Sequence, residues 1–187
     1  LIAIKSFSTT TRDDVLKALE TIESDNLDTL VLDMRNNGGG LLEGAIETAN
    51  LFLPPGKVVV FVVNKDGNTD AKMTIGDQIP SANQYLPDLK TKMFVLVNGN
   101  TASAAEVLSG VLKDQGRGTV IGQQTFGKGV IQNLQELRQG GIAITIARYE
   151  TPSHVSINKI GIPVDKTLTE EECSSSDSTS TCARKFI

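Results

Sequence analysis

Tryptophan is absent from the 187-residue sequence, histidine occurs once, and cysteine occurs twice. With one histidine, His154, neither a histidine-rich metal site nor a proton relay of several imidazoles can be built. No apolar run approaches the roughly 20 residues a membrane-spanning helix needs, so no membrane insertion is expected. A basic surplus is missing too: 18 Lys and Arg against 22 Asp and Glu leave a net charge of −4 and a pI near 5.1. Such a surface gives a polyanion nothing to pair with, which excludes nucleic acid as an expected partner. What is present is an apolar fraction of 39%, enough at this length for one sizeable core.

Leu1 opens directly into the strand-like run LIAIKSF, with no Met, basic n-region or cleavage site. The chain therefore reads as a segment of something longer, whose targeting signals lie elsewhere. Ile2 to Phe7 reads as a strand. Thr9, Thr10 or Thr11 caps a helix with the apolar stripe Val15, Leu16, Leu19 and Ile22. TLVLDMR is a short β-rich run ending in Asn36-Asn37-Gly38-Gly39-Gly40, and helix-like LLEGAIETANLFL follows. Pro54, Pro55 and Gly56 stop that helix, and Val58 to Val63 resumes a buried strand. The polar stretch between Asn64 and Pro87 carries little apolar periodicity and reads as an excursion or flap. A second strand, turn and helix then appears as MFVLVN, GNTAS and AAEVLSGVLKD.

Two βα units of this kind predict an α/β fold with a mostly parallel sheet and flanking helices. Residues 119–137 and 140–151 read as further strands with glycine turns. The expected division is a core over 1–168 and a polar tail over 169–187, rich in Glu, Ser, Thr and Asp and expected to be mobile or lightly docked. Cys173 and Cys182, in that tail, are either a small surface disulfide or two exposed thiols.

Ser103 stands just after a strand and at the mouth of a helix. Backbone N–H groups of a first helical turn point at negative charge developing there, a place that suits a nucleophile. A lone serine at a helix start is otherwise an N-cap, as Thr101 is equally able to be. His154 falls in the turn Thr151-Pro152-Ser153-His154, where a surface role is expected. The candidate base is instead Lys128 in Thr125-Phe126-Gly127-Lys128-Gly129-Val130, provided its amine is desolvated and neutral. Gln132, four residues on, is a neutral partner able to orient it. The glycine triplet lacks the Gly-Lys-Ser/Thr of a phosphate loop and the spacing of a dinucleotide fingerprint. An amide of this turn, joined by that of Ala104, is able to form an oxyanion hole; on their own, three glycines make a tight turn.

LVLDMRNNGGG, NGNTASAAEVLSGVLKDQGRG, IGQQTFGKGVIQ, AITIARYETP and NKIGIPVD occur in one order from about Ile2 to Asp165. Together they resemble the carboxyl-terminal processing, or tail-specific, serine peptidases, and among these the chloroplast and cyanobacterial peptidases that trim the photosystem II reaction-centre protein precursor. The resemblance implies a Ser/Lys dyad of Ser103 and Lys128, oriented by Gln132, with oxyanion amides from Gly40 and Ala104. Asp114 falls where the family has a supporting residue near the site. It further implies a protease core related to crotonases and the Clp peptidase, without cofactor or metal, acting on unstructured C-terminal tails of proteins. A thylakoid lumen or a bacterial periplasm or cell envelope is implied as its location.

The family's substrate-capturing PDZ domain is absent from this chain and expected N-terminal to it in the intact protein. Ala105 replaces a serine common in relatives, and Gly161-Ile162-Pro163-Val164-Asp165 shifts a family turn by one residue. Two competing readings are a binding module on the same core, like the retinoid-binding repeats, and a catalytically incompetent fragment.

Overall fold

The computed structural model describes residues 1–21, 28–75, 91–169, 171–173 and 177–183. Its elements in chain order are β1 (Ile2–Ala3), α1 (Thr11–Glu20), β2 (Thr29–Asp33), α2 (Leu42–Ala49), β3 (Val58–Asn64), β4 (Thr69–Met73) and β5 (Lys92–Val97). They continue with α3 (Ala104–Asp114), β6 (Thr119–Gly122), β7 (Val130–Glu136), β8 (Gly141–Glu150), β9 (Lys166–Thr167) and α4 (Thr179–Ala183). Five strands make a wholly parallel sheet in the order β1-β2-β5-β6-β9. Four make a second, antiparallel sheet in the order β4-β3-β8-β7.

Both faces of the parallel sheet are apolar, as its near-continuous hydrophobic strands require. Leu32, Val95 and Val120 stand in register across it and join the main core with Val15 and Leu19 of α1, Ile46 of α2, and Leu108 and Leu112 of α3. Because side chains alternate along a strand, Val31, Leu96 and Ile121 face the other way and form a second cluster with Leu168, Cys173 and Cys182. Of the expected α1 stripe, Val15 and Leu19 are buried and Leu16 packs against the core; Ile22 lies outside the described residues. Thr10 is the N-cap residue but makes no side-chain cap bond, and α1 begins at Thr11, whose Oγ1 accepts the Ser8 N–H at 2.8 Å. Asp13 and Asp14 sit in its first turn, where the helix dipole favours acids.

Two expectations are corrected here. The segment after Asn64 is not a structureless excursion throughout: Thr69–Met73 pairs with β3, Phe61 opposite Ala71 and Val63 opposite Thr69. Its residues are almost all exposed, so an edge strand held by backbone bonds left no apolar alternation to read; residues 76–87 lie outside the described residues. The described part of the tail is docked, with Cys173 and Cys182 joined by a disulfide and both buried. Closing so short a loop stabilises the fold by about 2–3 kcal/mol. His154 is exposed, as expected, and stacks on Phe61 with ring centroids 4.1 Å apart.

Candidate active site

β2 and β5 lie side by side in parallel, so the turns that leave their carboxyl ends emerge together, where open α/β sheets place their sites. Side-chain amides join the two turns. Asn98 Oδ1 accepts the Asn36 N–H at 3.0 Å, and Asn98 and Asn100 each donate through Nδ2 to Asn36 Oδ1 at 3.0 Å. The Ala102 N–H donates to the Asn37 carbonyl at 2.9 Å, and Thr101 Oγ1 to the Met34 carbonyl at 2.9 Å. Thr101 is thereby committed to holding the turns together. Behind them Arg35 grips Asp33 through Nε at 3.1 Å and Nη2 at 2.9 Å, with both side chains buried.

Ser103 occupies the N-cap of α3 with φ 57° and ψ −123°, a conformation that costs a side-chain-bearing residue about 1–3 kcal/mol. Its hydroxyl is placed as in a capping box, but the Glu106 N–H donates to the Ser103 carbonyl oxygen at 2.8 Å. The hydroxyl is therefore not committed to capping. Gly39, at φ 99°, is pressed against this residue: a Cβ there would stand 2.7 Å from Ser103 Cβ and 3.0 Å from the Ala104 nitrogen. Only glycine fits.

On either side of Gly40, the Gly39 carbonyl accepts the Phe7 N–H and the Leu41 N–H donates to the Phe7 carbonyl, each at 2.9 Å. Gly40 has φ 137° and pairs with Phe7 in a parallel bridge through its two neighbours, so its own N–H points to the opposite side. That N–H and the Ala104 N–H have no acceptor among the described residues.

Glu106 carries the junction between the serine turn and the lysine loop. Its side chain is fully buried, and its carboxylate accepts four hydrogen bonds. Oε2 takes the N–H groups of Ser103 and Lys128, both at 2.8 Å. Oε1 takes the Thr125 hydroxyl and the Gly127 N–H, both at 2.6 Å. Those four donors fill a carboxylate's acceptor sites. The Phe126 N–H adds a bond to the Thr101 carbonyl at 2.9 Å. Beyond the lysine, Gly129 lies so close to Asn158 that a Cβ would stand 2.2 Å from its backbone nitrogen.

The structure thus brings Ser103, Gly40, Ala104 and the backbone of Lys128 to one place. It does not bury the Lys128 side chain, which is exposed, and Gln132 on β7 is exposed as well. No hydrogen bond joins these two side chains to each other or to Ser103 among the described residues. The expected desolvated amine is therefore not formed in this chain by itself. The loop runs into an open hairpin, whose β8 residues Ile142, Ile144 and Ile146 are also exposed.

Asp114, expected as a supporting residue, has a structural place. It closes the far end of α3, about 16 Å along the helix from Ser103, and accepts the Ser153 N–H at 3.0 Å and hydroxyl at 2.6 Å. Its role is to anchor the turn before His154. Glu106 and the Asp33–Arg35 pair were not singled out from sequence, although Ser103-x-x-Glu106 carries the spacing of a capping box. Among the described residues no group of acidic, His and Cys side chains is placed to hold a metal ion, and no helix is long and apolar enough to cross a membrane.

The model of peptidase family S41 matches residues 1–168. A carboxyl-terminal-processing protease of the cyanobacterium Picosynechococcus is 41% identical over 171 residues, which are 91% of this chain and 39% of that protein. The chloroplastic carboxyl-terminal-processing peptidase 2 of Arabidopsis thaliana is 40% identical over 168 residues, 89% of this chain and 31% of its own length. Among solved structures, a photosystem II D1 C-terminal processing protease superposes with a TM-score of 0.80 at 38% identity, over 97% of this chain and 45% of that one. The chain spans well under half the length of these relatives, and it belongs to peptidase family S41.

Proposed function

We propose that the chain is the catalytic core of a serine endopeptidase that trims protein C-termini. Ser103 attacks the peptide carbonyl, and the amides of Gly40 and Ala104 receive the charge that develops on its oxygen. Neutral Lys128 takes the serine proton and returns it to the leaving amine; water then hydrolyses the acyl-enzyme by the same relay. Gln132 orients the lysine. One observation carries the reading: a serine held in a strained backbone conformation, beside two amides without acceptors among the described residues, is tied through Glu106 to the backbone of the Lys128 loop. Neither a binding module nor a tight turn has use for that arrangement.

Because Lys128 is exposed, the base becomes competent when something covers it, and an extended substrate lying over the serine turn and the lysine loop does so. Such a site accepts unstructured tails. The names of the relatives support a photosystem II D1 precursor as one substrate and a chloroplast or cyanobacterial setting; the thylakoid lumen or a bacterial envelope as the compartment and an N-terminal PDZ domain as the capturing partner rest on the family resemblance alone. Division at residue 168 into core and tail completes the proposal.

The test is mass spectrometry of an unstructured polypeptide with an apolar C-terminus after incubation with the chain, beside Ser103→Ala and Lys128→Arg. Arginine keeps the positive charge but stays protonated. Cleavage by the parent and by neither variant is expected; appreciable turnover by Lys128→Arg removes the lysine from its role.

A further inference from the structure

The Arg35 guanidinium does more than pair with Asp33. Its Nη1 lies 3.2 Å from Cys182 Sγ and 3.4 Å from Cys173 Sγ, and its Nη2 also donates to the Asp177 carbonyl at 2.7 Å. A disulfide carries no charge, so a buried cation against both sulfurs contributes little to the oxidised state. It strongly favours a thiolate, whose ease of departure sets the rate of thiol–disulfide exchange. The two sulfurs are not equivalent: Cys182 is fully buried, whereas Cys173 retains 7% exposure.

The strap these cysteines close is polar and carries one short helix, α4. Among the described residues, the Cys173 N–H donates to the Thr169 carbonyl and the Cys182 N–H to the Ser178 carbonyl, both local bonds. Attack on Cys173 needs a local opening here and not of the sheet beneath.

We propose that Cys173–Cys182 is an exchange site for a protein dithiol, and that its reduction frees the strap from Arg35 and slackens the turn facing Ser103. One thiolate of the dithiol attacks Cys173 Sγ, and Cys182 leaves as a thiolate against Arg35. The second thiol of the donor then attacks the mixed disulfide and releases Cys173. The chain gains two electrons and two protons, and the dithiol becomes a disulfide. Arg35 directly precedes Asn36 and Asn37, whose amides bind the serine turn and the Gly39 N–H. Losing the Asp177 carbonyl and the sulfurs removes part of the support behind that turn and leaves Arg35 on Asp33. The effect on cleavage rests on the peptidase reading; the exchange chemistry does not.

The test uses the full chain, oxidised, in dithiothreitol or reduced thioredoxin without denaturant. Thiols are counted by alkylation and mass spectrometry while circular dichroism follows the fold. Two thiols are expected in a folded chain, and Cys182 should alkylate at mildly acid pH at least tenfold faster than free cysteine. Cleavage should fall at least fivefold on reduction and return on reoxidation. A Cys173→Ser/Cys182→Ser double variant should match the reduced chain and ignore dithiol. Thiols that appear only as the whole chain unfolds, or equal cleavage by both redox forms, overturn the proposal. If the oxidised chain cleaves nothing, the peptidase reading has failed, and the thiol count and alkylation profile decide the exchange site alone.

Discussion

Replacing Glu106 by Gln keeps the volume of a fully buried side chain but turns one acceptor oxygen into a donor NH2 group. On the Oε2 side the new N–H bonds would face the N–H groups of Ser103 and Lys128; on the Oε1 side they would face the Gly127 N–H and the Thr125 hydroxyl. If Thr125 turns its hydroxyl to accept the new N–H beside the Ile162 N–H it already accepts at 2.7 Å, its own O–H loses the Glu106 acceptor. Two charge-assisted hydrogen bonds are lost in either orientation, at about 1.5–3 kcal/mol each, which sums to about 3–6 kcal/mol. Against a total stability of about 5–15 kcal/mol the variant still folds, and its melting temperature falls by about 10 °C.

Calorimetry gives the stability of Glu106→Gln, and steady-state cleavage of an unstructured polypeptide gives its kinetics. The serine turn and the lysine loop both move away from their present positions, so kcat should drop far more than KM rises. A variant within 1 kcal/mol of the parent and with unchanged kcat would refute the claim that this carboxylate joins the two halves of the site.

Ser103→Gly should be inactive yet more stable than the inactive Ser103→Ala by about 1 kcal/mol, since glycine accepts φ 57° without strain; equal denaturation midpoints for the two variants would show that no strain is stored there. Gly39→Ala meets Ser103 Cβ at 2.7 Å and the Ala102 carbonyl at 2.8 Å, so stability should fall by about 2–4 kcal/mol with activity lost. Urea titration and the cleavage assay measure both, and parent-like values in each would mean that the turn yields more easily than its packing implies.

Much of the parallel half was legible because its signals are short-ranged. The helix over Ala104–Asp114 begins and ends where its glycine-rich turn and apolar spacing put it, and strands ending at Asp33 and Val97 follow directly from β-rich runs. The repeat of strand, turn and helix forced a parallel pairing that sets Ser103 beside the glycine triplet. The second sheet was less legible: β4 is an exposed edge strand without alternation, recognisable only once β3 supplies its partner.

The sequence by itself determined which residues have the chemistry to act, a serine at a helix mouth, a lysine between glycines and amides in two turns, because residue type and local backbone preference are properties of a few neighbours. Only the tertiary structure decided how these are joined. It turned Glu106 inward to four donors from two separate stretches of chain, placed Asp114 at the far end of its helix, and left Lys128 uncovered. It also drew the polar tail onto the second face of the sheet, where a disulfide meets Arg35 from across the chain. Burial, and with it the strength of every charge and hydrogen bond in the site, depends on which distant segments arrive together, and no local pattern records that.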